Sequence, residues 1–195
     1  MTPDFPAGAP APEMMPAPGG ARWCACLRDY LAIAGWIMAV TAAGTLVRAW
    51  WSVDISSVPL VVTDMVIFGS TVLPLWIYLS LTEAGAHQAG WGKRGARLRV
   101  VATPTRLRAG PIRAGLRNGV KLLPWQLAHI AVVRATLSVD APALIDTTLA
   151  FSLAIPATSL LVAWRDPQHR ALHDLIASTR VVWEPESIST REGQI

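Results

Sequence analysis

A chain of 195 residues that is 52% hydrophobic and only 15% charged falls short of the roughly 25% charge that keeps a soluble domain's surface wet. Its 17 Lys and Arg against 13 Asp and Glu do not signal nucleic acid, because the basic residues flank apolar stretches, where orientation in a bilayer explains them. Cys24 and Cys26 are poorly placed for a mutual disulfide, and no second pair completes a metal site.

Residues 1–20 hold six of the 15 prolines, without the basic start and unbroken apolar middle of a signal peptide. They read as a disordered Pro/Ala/Gly-rich leader. Four apolar stretches follow, at about 30–47, 59–81, 122–139 and 141–164. Each is close to the ~20 helical residues that cross a hydrocarbon core, and the first can begin as early as Arg22. A lipid-exposed backbone must satisfy its own polar groups, so each span is predicted to be helical. Gly35, Ala39 and Ala43 recur every four residues along the first, a spacing that lets two helices approach closely. Ser56 or Ser57 is the predicted cap of the second helix and Asp140 of the fourth, with Pro59 and Pro142 in their first turns. Pro74 and Pro156 should kink their spans.

The loop from Ala84 to Lys121 has its own pattern. Arg97–Thr103 alternates as a short strand does, with Thr105–Ala109 as its return. Ile112, Leu116, Val120 and Leu123 then recur at helical spacing. That predicts an interfacial helix whose Arg113, Arg117 and Lys121 lie near anionic headgroups. Residues 184–195 form a flexible polar tail. Fifteen of the 17 basic residues fall on one side of the spans, with Arg48 and Arg134 the exceptions. By the positive-inside rule that side is the cytoplasm. The predicted architecture is an all-α membrane protein of four transmembrane helices, with both termini inside.

Charges within the spans carry the most information, since each costs several kcal/mol unless paired or wetted (at least ~2.5–3.5). Asp64, Arg134 and Asp146 all fall about 7–8 Å below the outer boundary at 1.5 Å per residue. They form either a salt bridge locking three helices or, with one surplus negative charge, a cation or proton site. His129, near mid-depth, is a proton relay or a packing residue. His169 and His173 are spaced i, i+4, but no third ligand is nearby, so no metal is expected. No phosphate loop, nucleophile elbow or dinucleotide fingerprint is present, and neither an enzyme nor a cofactor is expected.

Three separated motifs frame the spans. Arg22 and Asp29 stand two helical turns apart. Gly92-Lys93-Arg94 precedes Leu98-Arg99-Val100-Val101, and Leu172 to Thr179 (LHDLIAST) precedes Val181-Val182. Together, over Arg22–Val182, they resemble the RDD family of bacterial multi-pass membrane proteins. The family's usual Gly-Gln-Thr-Pro is replaced here by Gln88-Ala89-Gly90-Trp91. The resemblance implies Arg22, Asp29 and Asp174 as signature residues, and Gly92, Lys93, Arg94 and Arg99 as a cytoplasmic loop motif. It also implies residence in the bacterial cytoplasmic membrane and a role in transporting small cations or solutes, in the manner of cation/proton antiport. Asp29, Asp64, His129, Arg134 and Asp146 are the candidate ion and proton sites. Four helices would work as a homodimer. The alternative is a non-transporting anchor or assembly protein whose basic loop binds a partner. Water reaching the intramembrane carboxylates would favour the first reading, and a dry, paired interior the second.

Overall fold

The computed structural model describes residues 15–16, 19–52, 54–103 and 105–183. Helix α1 spans Gly19–Trp51 and α2 Leu60–Ala84. The short helix α3 spans Trp91–Gly95, α4 Gly110–Thr136, α5 Pro142–Arg165 and the short α6 Leu172–Ile176. Three of these helices, over Cys24–Trp51, Leu60–Ala84 and Pro142–Arg165, are long and apolar enough to cross a membrane. Leu31, Met38, Leu46, Met65, Leu153 and Leu160 are each at least 62% exposed along them. Water would disfavour so continuous an apolar surface, and lipid does not.

The region predicted as an interfacial helix followed by a third span is one unbroken helix, α4. It carries Arg113, Arg117, Lys121 and Arg134, and it is too polar to be counted with the other three. Two of its cations also depart from the headgroup reading. Ala114, Arg117, Asn118 and Leu122 are buried in α4 and Lys121 is partly buried, while Ile112 and Leu116 are exposed. The α4 face turned inward is thus the one carrying Arg117, because α2 offers it a carboxylate, as described below.

Pro74 acts through hydrogen bonding. It has no N–H to return to the carbonyl four residues back, and immediately before it the helix widens into a π turn at Phe68–Val72. The Ser70 carbonyl, which Pro74 cannot serve, accepts the Trp36 indole N–H from α1 at 3.2 Å. Helix α5 continues through Pro156. Asp140 is not its cap: Ala141 holds that position, with no side-chain cap hydrogen bond.

A small sheet covers one end of the bundle. Strand β2, Leu98–Ala102, was expected to pair with residues 105–109. It pairs instead with β3, Thr179–Trp183, antiparallel from Leu98 opposite Trp183 to Ala102 opposite Thr179. Of the predicted hairpin there remain the bridge from Val101 to Arg108 and the hydrogen bonds from Ala102 N–H to the Leu107 carbonyl at 2.8 Å and from Arg106 N–H to the Ala102 carbonyl at 2.9 Å. Strand β1, Met15–Pro16, lies within the predicted leader and adds to the other edge of β3. The rest of that leader and the tail 184–195 lie outside the described residues, apart from the start of α1. Leu98 packs on Ala25 of α1, with Val181 and Trp183 beside it. A second cluster, Val72, Leu79 and Leu122, joins α2 to α4.

Candidate functional site

Five ionisable side chains from α1, α2, α3, α4 and α6 meet under this sheet in one buried chain. Asp29 of α1 accepts the Gly92 backbone N–H on Oδ1 at 2.9 Å and the Lys93 ammonium on Oδ2 at 3.1 Å. The same Lys93 Nζ lies 3.0 Å from Glu83 Oε1, an ion contact away from the ideal hydrogen-bond direction. Glu83, at the end of α2 and wholly buried, accepts Arg117 Nη1 at 3.1 Å and Asn118 Nδ2 at 3.0 Å on its other oxygen. Arg117 Nε lies 3.1 Å from Asp174 Oδ1. Asp174 also accepts the Thr179 hydroxyl at 3.2 Å and, on Oδ2, the Ala171 backbone N–H at 3.2 Å. The sequence runs Asp–Lys–Glu–Arg–Asp, alternating in sign, and links the membrane helices to the sheet.

The motif residues can now be read atom by atom. A Cβ at position 92 would collide with the Ala25 carbonyl oxygen and come within 2.6 Å of Asp29 Oδ1. Glycine is therefore required for the backbone to reach the carboxylate. Lys93 is the second link of the chain, and Arg94 Nε donates to the Ala89 carbonyl at 2.9 Å, closing the loop that presents both. Arg99 is partly buried on β2 opposite Val182. Arg22 lies in α1, and its side chain is outside the described residues.

Burial and charge tune the groups around the chain. Lys93 is held above its usual pKa: burial alone would lower it, but Glu83 and Asp29 outweigh that. His173, beside Asp174, is pushed down to about 3 by burial and by the positive charge of Arg117. It is neutral at physiological pH, so its 3.6 Å approach to Asp174 is not an ion pair.

The predicted outer trio comes apart. Asp64 and Arg134 form a bidentate pair, Nη1 to Oδ1 at 3.0 Å and Nη2 to Oδ2 at 2.7 Å. Asp146 is exposed and outside it. The reason is helical phase. Helix α5 buries Thr148 and Ser152, and Asp146, two residues before Thr148, points about 200° away at 3.6 residues per turn. Depth placed these three together and azimuth separates them, so the pair is neutral and the expected surplus charge is not part of it. His129 is partly buried on α4 between the two charged groups and is joined to neither. Among the described residues no three of His, Cys, Asp and Glu gather in a metal-binding arrangement.

Glu83, Arg117 and Asn118 were absent from the predicted site. Glu83 lies just past the predicted end of its span. Arg117 looked like one more headgroup cation. A signal was present: Ala114, Asn118 and Leu122 lie at i, i+4 and i+8, a stripe that puts Arg117 on the packed side of α4.

The chain matches no curated protein and no solved structure. One family model does match, over residues 16–178, a stretch that contains the ion-pair chain from Asp29 to Asp174. With most of its length under that model, this membrane protein belongs to the RDD family.

Proposed function

We propose that the protein is a non-enzymatic membrane anchor of the bacterial cytoplasmic membrane, which holds a rigid basic cap against the inner leaflet for anionic headgroups or a partner protein. The observation that carries this reading is the closed ion-pair chain: Asp29, Glu83 and Asp174 are at most 8% exposed, and each is engaged by buried cations. A dry, paired interior suits a clamp. In this reading α4 crosses the bilayer as a fourth span and both termini are cytoplasmic. The distance fits, because Arg117 and Arg134 stand about 26 Å apart along the helix at 1.5 Å per residue, close to a hydrocarbon thickness of ~30 Å. Arg94, Arg97, Arg106, Arg108 and Arg113 are exposed at the cap end, where the surface potential of anionic lipid attracts them. Gly35, Ala39 and Ala43 are exposed on α1 and offer a close-approach face to a second copy.

A second reading, exchange of small cations for protons, is favoured by the gathering of three carboxylates, Asp29, Glu83 and Asp174, in one buried chain beside the spans. One preparation tests both. The purified protein is sealed in liposomes with a pH-sensitive dye and challenged with Na⁺, Li⁺ and K⁺. In parallel, trypsin cleavage within residues 94–108 is followed in the wild type and in Arg117→Leu. The anchor reading expects no cation-driven pH change, and a cap that is protected in the wild type but cleaved in the variant. Flux abolished by Asp29→Asn would overturn it in favour of exchange.

A further inference from the structure

Between α1 and α2, beside α3, lies a cavity of about 410 Å³, a size typical of small-molecule sites. Three of its walls are aromatic, Trp36, Tyr78 and Trp91. Leu75 and Leu79 are among the aliphatic ones, and the charged group on the lining is Asp29. The cavity is set into the apolar flanks of two helices fit to cross a membrane, so an occupant can reach it from the bilayer.

Each feature narrows the chemistry of that occupant. An anion would meet the Asp29 carboxylate. An inorganic cation would exchange its hydration for hydrocarbon walls. A plain acyl chain would leave three aromatic faces and a carboxylate unused. A cation with a greasy body uses all of them, since aromatic faces attract a positive charge, most strongly where water is excluded. Asp29 has capacity to spare: Gly92 N–H and Lys93 take two sites of the roughly four that a carboxylate offers. Lys93 also touches Glu83 at 3.0 Å, so it can yield Asp29 to an incoming charge and keep a partner. The Trp36 indole is held in place by its hydrogen bond to the Ser70 carbonyl, which lowers the cost of ordering it on binding.

We propose that this cavity binds a lipophilic organic cation, with its apolar body between Trp36, Tyr78 and Trp91 and its charge directed at Asp29. The assignment stands whether or not the protein moves anything across the membrane.

The test uses the full-length protein in phosphatidylcholine nanodiscs, with radiolabelled tetraphenylphosphonium as probe and empty discs as background. The expected result is saturable binding in excess of the discs, with Kd raised at least tenfold in Leu75→Trp, which fills the cavity, and several-fold in Trp91→Ala. Trp50→Ala, at the far end of α1, should leave Kd unchanged. Tetraphenylborate, nearly the same shape with the opposite charge, should not compete, and Asp29→Asn should erase the discrimination between the two ions. If Asp29→Asn does not fold, the comparison of the two ions on Leu75→Trp and Trp91→Ala carries the test, because neither variant touches an ion pair. Uptake equal to empty discs, an unchanged Kd in Leu75→Trp, or equal competition by tetraphenylborate (a groove for any hydrophobe) would each overturn the proposal.

Discussion

The two charged regions of this bundle answer the same problem differently. Near the far end, Asp64 and Arg134 form a single bidentate pair, with 23% and 13% of their side chains exposed. At the cap end, five ionisable groups are buried and each interior member serves two partners. The isolated pair can be deleted as a unit, and an apolar replacement for a buried pair is often neutral or stabilising. The chain cannot be cut in this way, because removing one member strands the next. The difference suggests that the far pair sets the register of α2 against α4, whereas the chain decides whether sheet, loop and helices are one body.

That contrast is sharpest at the middle of the chain. Glu83→Gln leaves Lys93 and Arg117 buried without their shared counter-charge, and should cost about 3–5 kcal/mol, read as thermal or denaturant unfolding of the detergent-solubilised protein. A cost no greater than that of Asp64→Asn would erase the distinction between the regions. Gly92→Ala comes next. The added methyl meets Ala25 and Asp29, and overpacking of this kind costs about 1–3 kcal/mol, with cap protease sensitivity rising in step. At the far pair, Arg134→Leu leaves the Asp64 carboxylate unpaired and should destabilise by about 1–2 kcal/mol, less than a charge stranded at a helix centre because the pair lies nearer the span's end, and Asp64→Leu should restore most of it. Rescue by Asp146→Asn instead would mean that the azimuth assigned to Asp146 is wrong.

A pH dependence separates the regions further. His173 titrates at about 3 in the folded protein against 6.5 when free, so between those values the unfolded chain binds the extra proton. Stability therefore falls as pH drops below about 6.5, and the loss is complete near pH 3. In His173→Gln the acid limb of the unfolding curve should flatten over that window. An unchanged limb would show that His173 is not the buried neutral group its surroundings make it.

Much of the frame was legible in the sequence. Apolar length placed the helices to within a few residues at most ends, because a bilayer imposes both length and hydrophobicity on whatever crosses it. Asp29, Asp174 and Gly92-Lys93-Arg94 stood out as motif residues before any contact was known. The partners of those residues did not. Alternation marked Leu98–Ala102 as a strand, but it gave no means of preferring Thr179–Trp183, some eighty residues away, over the nearby 105–109.

The sequence by itself determined that this is a helical membrane protein with a lopsided distribution of cations, since composition and local periodicity act residue by residue along the chain. Only the tertiary structure decided which charges meet. Depth along a helix can be counted from the sequence, but the direction in which a side chain points depends on how neighbouring helices are rotated. That rotation joined Glu83 to Arg117 and left Asp146 outside the pair it was expected to complete.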